Sequence, residues 1–353
     1  VKSPFEDISD WLLTKAKGDG GLRGLTGQLV SRLRDAGVPI HRFNVGVFAL
    51  HPVMAGYAVV WTQGMDEAIE VPVRREDTLK PLYLASPIRL VVESRQTVSF
   101  DLKDAGACEG YPVLGEFRDE GYTNYIGFPI PYGEDGIAVL TACTKEPEGF
   151  SAAHVLGIQS LFPVLSLLIS VTENRRLTRT IVRTYLGENI GERVLSGEML
   201  RGHGETIQAA LWFCDLRDFT ALTAEIGSFA MIDVMNQYFD CMAEAVWAEG
   251  GEILKFMGDA MLVVFRIGDE LDAGEAARHA VSAAKEALQR LSFLSKRRAG
   301  EGLSPLYASV SVHLGSVVYG NIGASRRLDF TVMGAAVNLV SRIQGLTAKT
   351  GET

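Results

Sequence analysis

Two aspartates stand where apolar strands give way to turns. Asp215 closes the run Ala210-Leu-Trp-Phe-Cys-Asp215, and Phe219-Thr220 opens a helix within one turn of it. Asp259 lies in the turn of Lys255-Phe-Met-Gly-Asp259-Ala-Met-Leu-Val-Val-Phe265. Carboxylates at strand ends, beside a helix start with unpaired N–H groups, suit divalent cations carrying a triphosphate. Taken singly, Asp215 reads as well as a helix N-cap, and Asp259 as a hairpin-turn residue.

Further polar residues extend the pattern. Lys255 sits on a strand just before that turn, flanked on its own face by Ile253 and Met257. A lysine so placed either snorkels at a sheet edge or donates to a ligand acceptor. Thr331, in Phe330-Thr-Val-Met-Gly334, is by itself an ordinary strand threonine. Asn338 and Arg342 stand four apart and so share one face of a helix whose Val337, Val340 and Ile343 turn to the core. An amide can orient a sugar and a guanidinium can span a phosphate, although such a face is more often merely solvated.

In combination, Phe213-Cys-Asp-Leu-Arg-Asp-Phe-Thr220, Lys255-Phe-Met-Gly-Asp-Ala-Met261, Phe330-Thr-Val-Met-Gly334 and Val337-Asn-Leu-Val-Ser-Arg342 strongly resemble the class III nucleotidyl cyclase catalytic domain over residues 205–353. The specificity lies in four linked motifs in order. The resemblance implies that Asp215 and Asp259, helped by the Leu216 carbonyl, bind two Mg²⁺ or Mn²⁺ ions. It implies that Phe219 and Thr220 lie against the substrate and that Lys255 and Thr331 read the purine edge. Lysine with threonine or aspartate goes with adenine in this family, and a lysine can donate to adenine N1, where guanine presents an N–H. Asn338 would orient the ribose, Arg342 would stabilise charge on the α-phosphate, and Arg326 or Arg327 would hold the distal phosphates.

The expected activity is thus an adenylate cyclase making 3′,5′-cyclic AMP and pyrophosphate from ATP by two-metal chemistry. The alternatives are a guanylate cyclase or a catalytically weak nucleotide-binding and dimerisation module. The family's homodimer would take Asp215, Asp259 and the distal arginine from one protomer, and Lys255, Thr331, Asn338 and Arg342 from its partner. Two departures stand out. Ala335 occupies a position where the family commonly has Asp or Asn. The chain also stops at Thr353 before the family's last strands, and a longer native gene is expected.

The elements needed to position these groups follow from pattern. From Ile207 onward we expect a strand (209–214), a short and a longer helix (219–225, 229–248), a hairpin (252–256, 260–265) and a helix (273–293). Two strands (307–314, 329–333) and a helix (335–346) complete an α/β, ferredoxin-like split βαβ domain. Ahead of it, residues 161–204 read as a helical connector. Its seam of Val164, Leu167, Val171, Asn174, Thr178, Ile181 and Tyr185 suits a parallel two-stranded coiled coil.

Residues 1–160 read as a separate mixed α/β unit. Helices are expected over 5–17 and 22–36, then short strands over 42–50, 56–62, 70–74, 88–93, 97–100, 125–131 and 136–144, with Ser151 capping a last helix. Tyr125-Ile-Gly-Phe-Pro-Ile-Pro131 and Gly136-Ile-Ala-Val-Leu140 resemble a GAF sensor domain, with PAS the nearest competitor, and this implies an unknown small-molecule ligand. Phe117-Arg-Asp-Glu120 partly echoes a cyclic-nucleotide-binding element but lacks its Asn-Lys pair. His41, His51 and His154, and the thiols Cys108 and Cys143, form no cluster with metal-ligand spacing.

Bulk properties bound the rest. The 353 residues allow two domains, and 47% hydrophobic with 22% charged residues is ordinary for a soluble globular chain. A net charge of −9 opposes a nucleic-acid-binding surface. Four cysteines over this length suggest a reducing compartment. The most apolar stretch, 155–171, carries Gln159, Pro163 and three serines, too polar for a membrane span, so a cytoplasmic protein is expected.

Overall fold

The computed structural model describes residues 2–15, 21–48, 54–197, 204–268 and 271–350, so His51 lies outside the described residues. It separates into two compact units, Val1–Thr180 and Ile181–Thr353.

The first unit opens with α1 (Pro4–Lys15) and α2 (Gly21–Asp35), then β1 (Arg42–Phe48), β2 (Met54–Thr62) and β3 (Ile69–Arg74). Short helices α3 (Pro81–Leu84) and α4 (Pro87–Ser94) precede β4 (Val98–Asp101), α5 (Pro112–Asp119), β5 (Asn124–Tyr132) and β6 (Gly136–Thr144). Two helices follow, α6 (Ala152–Ser160) and α7 (Phe162–Leu186), and the boundary between the units falls within α7. The strands form one antiparallel sheet in the order β3-β2-β1-β6-β5-β4, as expected of a GAF-like domain. One face buries Phe43, Val45 and Val47 against Leu12, Leu29, Leu33, Leu165 and Ile169. On a smaller second core, Leu102, Leu114, Tyr122, Tyr125 and Cys143 pack together.

One expectation fails here. Residues 88–93 form a helix, not a strand. Their β-branched residues favour a strand, but Pro87 at the first helical position and the Ser86 hydroxyl, accepting the Arg89 N–H at 3.2 Å, start a helix instead. Arg95, with φ of 53°, then ends it in the left-handed region.

On α7, Val164 is buried in the first unit with Leu165, Leu168 and Ile169, whereas Leu167, Ile181 and Tyr185 are exposed. Glu173, on the same helix, is buried and accepts the Tyr57 hydroxyl at 2.5 Å. No single helix among the described residues is long and apolar enough to cross a membrane; α6 and α7 pass that test only as a pair bent by 44°.

The second unit contains α8 (Glu188–Leu195), β7 (Gly204–Leu216), α9 (Phe219–Ile226), α10 (Ser228–Ala248), β8 (Glu252–Met257) and β9 (Ala260–Ile267). Then come α11 (Ala273–Gly300), β10 (Ala308–Ala324), β11 (Arg327–Met333) and α12 (Ala335–Thr350). The antiparallel sheet runs β11-β10-β7-β9-β8. Its last four strands give the split βαβ order, with β11 added at the edge. Each sheet face has its own core. On one, α10 and α11 cover Ala210, Trp212, Met261, Val263 and Phe265. On the other, α12 covers Leu211, Val264, Tyr319 and Val332 through Ala336 and Val340.

Local sequence explains the main supports. Asp272 caps α11 by accepting the Glu275 N–H at 2.8 Å, and Ala276, Ala280, Ala283, Ala287, Leu291 and Leu294 form its buried stripe in steps of three and four. β10 extends to Ala324, ten residues past the expected end, because it pairs with β7 on one side and β11 on the other. Continuous pairing overrides the weak strand propensity of its Gly315-Ser316 step.

Candidate active site

β7 and β9 stay paired as far as Cys214 opposite Met261. Asp215 therefore emerges alongside the β8–β9 turn, where Gly258, at φ of 66°, makes the bend and Asp259 follows. The two carboxylates lie near enough for each to feel the other's charge. Burial first, and then the facing Asp259, push the Asp215 carboxyl up to about 7, while the Leu216 N–H pulls it down. Asp215 Oδ1 is itself buried with no hydrogen-bond partner. A like-charge pair with an orphaned hard oxygen fits a divalent cation. The described residues hold no group of three or more His, Cys, Asp or Glu around a common point. Further ligands would thus come from backbone, water or a bound phosphate.

The helix N-cap beside this pair is Asp218, not Asp215. Asp218 has φ of 56° and makes no capping bond with its side chain. The first turn of α9, with Phe219 half-buried against the core and Thr220 exposed, is left uncapped by that side chain next to the aspartates.

A bulge shapes the lysine's position. Ile253 lies opposite Val263 and Lys255 opposite Leu262, so Leu254 is an extra residue in β8. Lys255 consequently shares its face with Met257 but not with Ile253, a correction to the simple alternation expected of the strand. Its Nζ donates to Asp329 Oδ2 at 2.7 Å. Thr331 is buried on β11 opposite Gly320, two residues from Asp329. Lys255 and Thr331 are not bonded to each other directly; the structure brings them together through Asp329.

Both of these strands are held from behind. Glu252, on β8, accepts the Tyr319 hydroxyl at 2.9 Å and a bond from the Asn189 side chain on α8, and burial pushes its carboxyl up. Arg193, also on α8, bonds Glu205 at 2.8 Å and lies over the rings of Tyr319 and Phe330. Phe330 is the residue between Asp329 and Thr331.

On α12, Asn338 and Arg342 are exposed and bonded to no other described residue, while Val340 and Gln344 are buried beneath them. Arg326 and Arg327 are exposed at the β10–β11 turn. None of these groups lines the hollow of about 470 Å³ between α10 and α11, which is bounded by Gln237, Cys241, Arg290 and Phe293.

Residues 203–351 match the adenylate and guanylate cyclase catalytic domain family. The second unit belongs to that family. Among its relatives, an adenylate cyclase of Anabaena cylindrica is 33% identical over 151 residues, 42% of this chain and 29% of its own length. An adenylate cyclase 1 of Rhizobium meliloti is 33% identical over 141 residues, 39% of this chain and 21% of its own. The chain thus spans less than a third of the curated relatives it matches. The solved adenylyl cyclase CyaB from P. aeruginosa is 31% identical, covering 41% of this chain and 74% of that one, with a TM-score of 0.38.

Asp329 and Glu252 of the cyclase domain escaped the sequence reading. Asp329 has a signal in its spacing, two residues before Thr331 and hence on the same strand face. Glu252 has none, because the helix that bonds it comes from an unpatterned stretch.

Proposed function

We propose that this chain is an adenylate cyclase, converting ATP to 3′,5′-cyclic AMP and pyrophosphate at sites shared by two copies. The observation carrying it is the facing Asp215–Asp259 pair, with its buried unpartnered oxygen, inside a cyclase catalytic domain. Asp215, Asp259 and the Leu216 carbonyl would hold two Mg²⁺ or Mn²⁺ ions, which when bound supply a lower pKa for the ribose 3′-hydroxyl and neutralise the triphosphate. Phe219 and Thr220, at the uncapped start of α9, offer backbone N–H groups to phosphate oxygens. Lys255 donates to the base with Thr331 alongside. Asn338 orients the ribose so that its 3′-oxygen lines up with the α-phosphate. Arg342 stabilises the charge that develops there, and Arg326 or Arg327 steadies the departing pyrophosphate.

The exposure of Asn338, Arg342, Arg326 and Arg327 supports a site completed by a second copy. So does the exposed run of Leu167, Ile181 and Tyr185 on α7, which a partner helix would cover. In this reading the GAF-like unit is a sensor for a small molecule that regulates the cyclase domain through α7.

The test is turnover by the purified chain with Mn²⁺ and either ATP or GTP. Cyclic AMP from ATP, with at least tenfold less product from GTP, is expected. Preferential use of GTP would make it a guanylate cyclase, and nucleotide binding without any cyclic product would make it a binding module.

A further inference from the structure

Among the described residues of the first unit, Glu173 on α7 is the only charged residue that is buried, at 8% exposure. Its Oε1 accepts the Tyr57 hydroxyl at 2.5 Å, and no described residue bonds its Oε2. The nearest guanidinium is engaged elsewhere: Arg176 pairs with Glu70 at 2.9 Å and lies over the Tyr57 ring, 4.0 Å from its centre. A carboxylate withdrawn from water with one neutral donor is costly, and an apolar side chain would pack as well. Burial accordingly pushes the Glu173 carboxyl up. The fold alone gives no reason for this charge.

A hollow beside it does. Its volume is about 520 Å³, and it lies between α7 and the β5–β6 turn with Glu173 in its lining. Small-molecule sites typically measure ~300–1,000 Å³. Phe48, Tyr132 and Leu177 give the hollow apolar walls, and the exposed Asn174, bonded to no other described residue, adds an amide. The Tyr132 hydroxyl already donates to the Phe48 carbonyl, and the Ser170 hydroxyl to the Ser166 carbonyl, so neither serves Glu173. Glu134 and Asp135 on the turn add negative charge, and the one cation among the described lining residues is the paired Arg176. An anion is disfavoured here. A cation with an apolar body matches both the open carboxylate oxygen and the walls. Around α7, Glu173 stands about a third of a turn from Leu167, Ile181 and Tyr185, so a partner helix laid along those three leaves it free.

We propose that the hollow between α7 and the β5–β6 turn binds a small organic amine, with its ammonium on Glu173 and its apolar body against Phe48, Tyr132 and Leu177. This rests on the sensor reading above and gives that sensor a site and a ligand class.

The test is calorimetric titration of the full chain with 2-phenylethylamine and with 2-phenylethanol, a neutral probe of the same size. The amine is expected to bind with a Kd of about 1 mM or tighter. The alcohol should bind at least about tenfold more weakly, the scale of a hydrogen bond to a charged acceptor. Glu173→Gln keeps an acceptor for Tyr57 and should bring the two probes within about twofold of each other, by weakening the amine alone. Leu177→Trp, which fills the hollow, should abolish binding of both, with thermal unfolding showing that each variant is folded. No amine binding by wild type, equal binding of the two probes, or undiminished amine affinity in either variant overturns the site and leaves the sensor reading standing. Amine binding by wild type that leaves cyclic AMP formation unaltered upholds the site and removes the sensing role.

Discussion

Gly315 lies directly beneath Ala336, so close that a Cβ on residue 315 would come within 2.6 Å of the Ala336 Cβ. The missing side chain lets α12 settle onto β10, and α12 carries Asn338 and Arg342. Gly315→Ala must push the helix outward. Overpacking of this kind costs about 1–3 kcal/mol, and thermal or urea unfolding should read that loss. A variant as stable as wild type would mean that α12 is not seated by this contact.

The aspartate pair predicts opposite effects of one substitution with and without cations. In chelator, Asp259→Asn removes a like charge facing Asp215 and should stabilise the chain. Discounted for solvent screening at a half-exposed site, the gain is on the order of 1 kcal/mol. With Mn²⁺ in hundredfold excess over its Kd, wild type should gain about 2.7 kcal/mol and the variant much less. Equal Mn²⁺ stabilisation of both would remove Asp259 from the metal site.

Base selection offers a second exchange. Lys255→Glu combined with Thr331→Cys should lower kcat/KM for ATP by at least about tenfold, since the donor to N1 becomes an acceptor. Parallel initial rates with ATP and GTP measure it, and an unaltered preference would contradict the assignment of these two residues.

Glu173 should leave a mark on stability against pH. Burial is the main cause raising its carboxyl, opposed by the Tyr57 hydroxyl and Arg176 and reinforced by Glu70. A carboxyl raised in the folded state binds its proton more tightly there than in the unfolded chain. Its cost is absent below the ordinary carboxylate value, grows as pH rises through the folded value, and persists above it. Glu173→Gln keeps an acceptor for Tyr57 and removes the titration. Its stability relative to wild type should rise as pH climbs above the ordinary carboxylate range and then level off once the folded-state carboxyl has ionised. A difference independent of pH would show that Glu173 titrates normally.

Much of the cyclase domain could be read from sequence because its signals are local and repeated. The apolar run ending at Asp215, the alanine stripe of α11 and the four-residue spacing of Asn338 and Arg342 each fix an element without tertiary information. What escaped depends on distant partners. Residues 88–93 carry strand-forming side chains, yet a proline and a serine cap decide for a helix. The far half of β10 is glycine-containing, and it is held as a strand by pairing with β7 as far as Gly320 and with β11 from Val318 onward. Asp329 gains its meaning from Lys255, 74 residues earlier, across a sheet whose curl no pattern announces.

The extra residue at Leu254 has a consequence for how nucleotide choice could change. It sets the side of the sheet on which Lys255 emerges: plain alternation along β8 would put Lys255 on Ile253's face, whereas the bulge holds it opposite Leu262, on the other face, where its ammonium bonds Asp329. The side that this lysine serves is thus written in backbone register, and a slip that ironed out the bulge would move the ammonium as surely as a substitution would remove it.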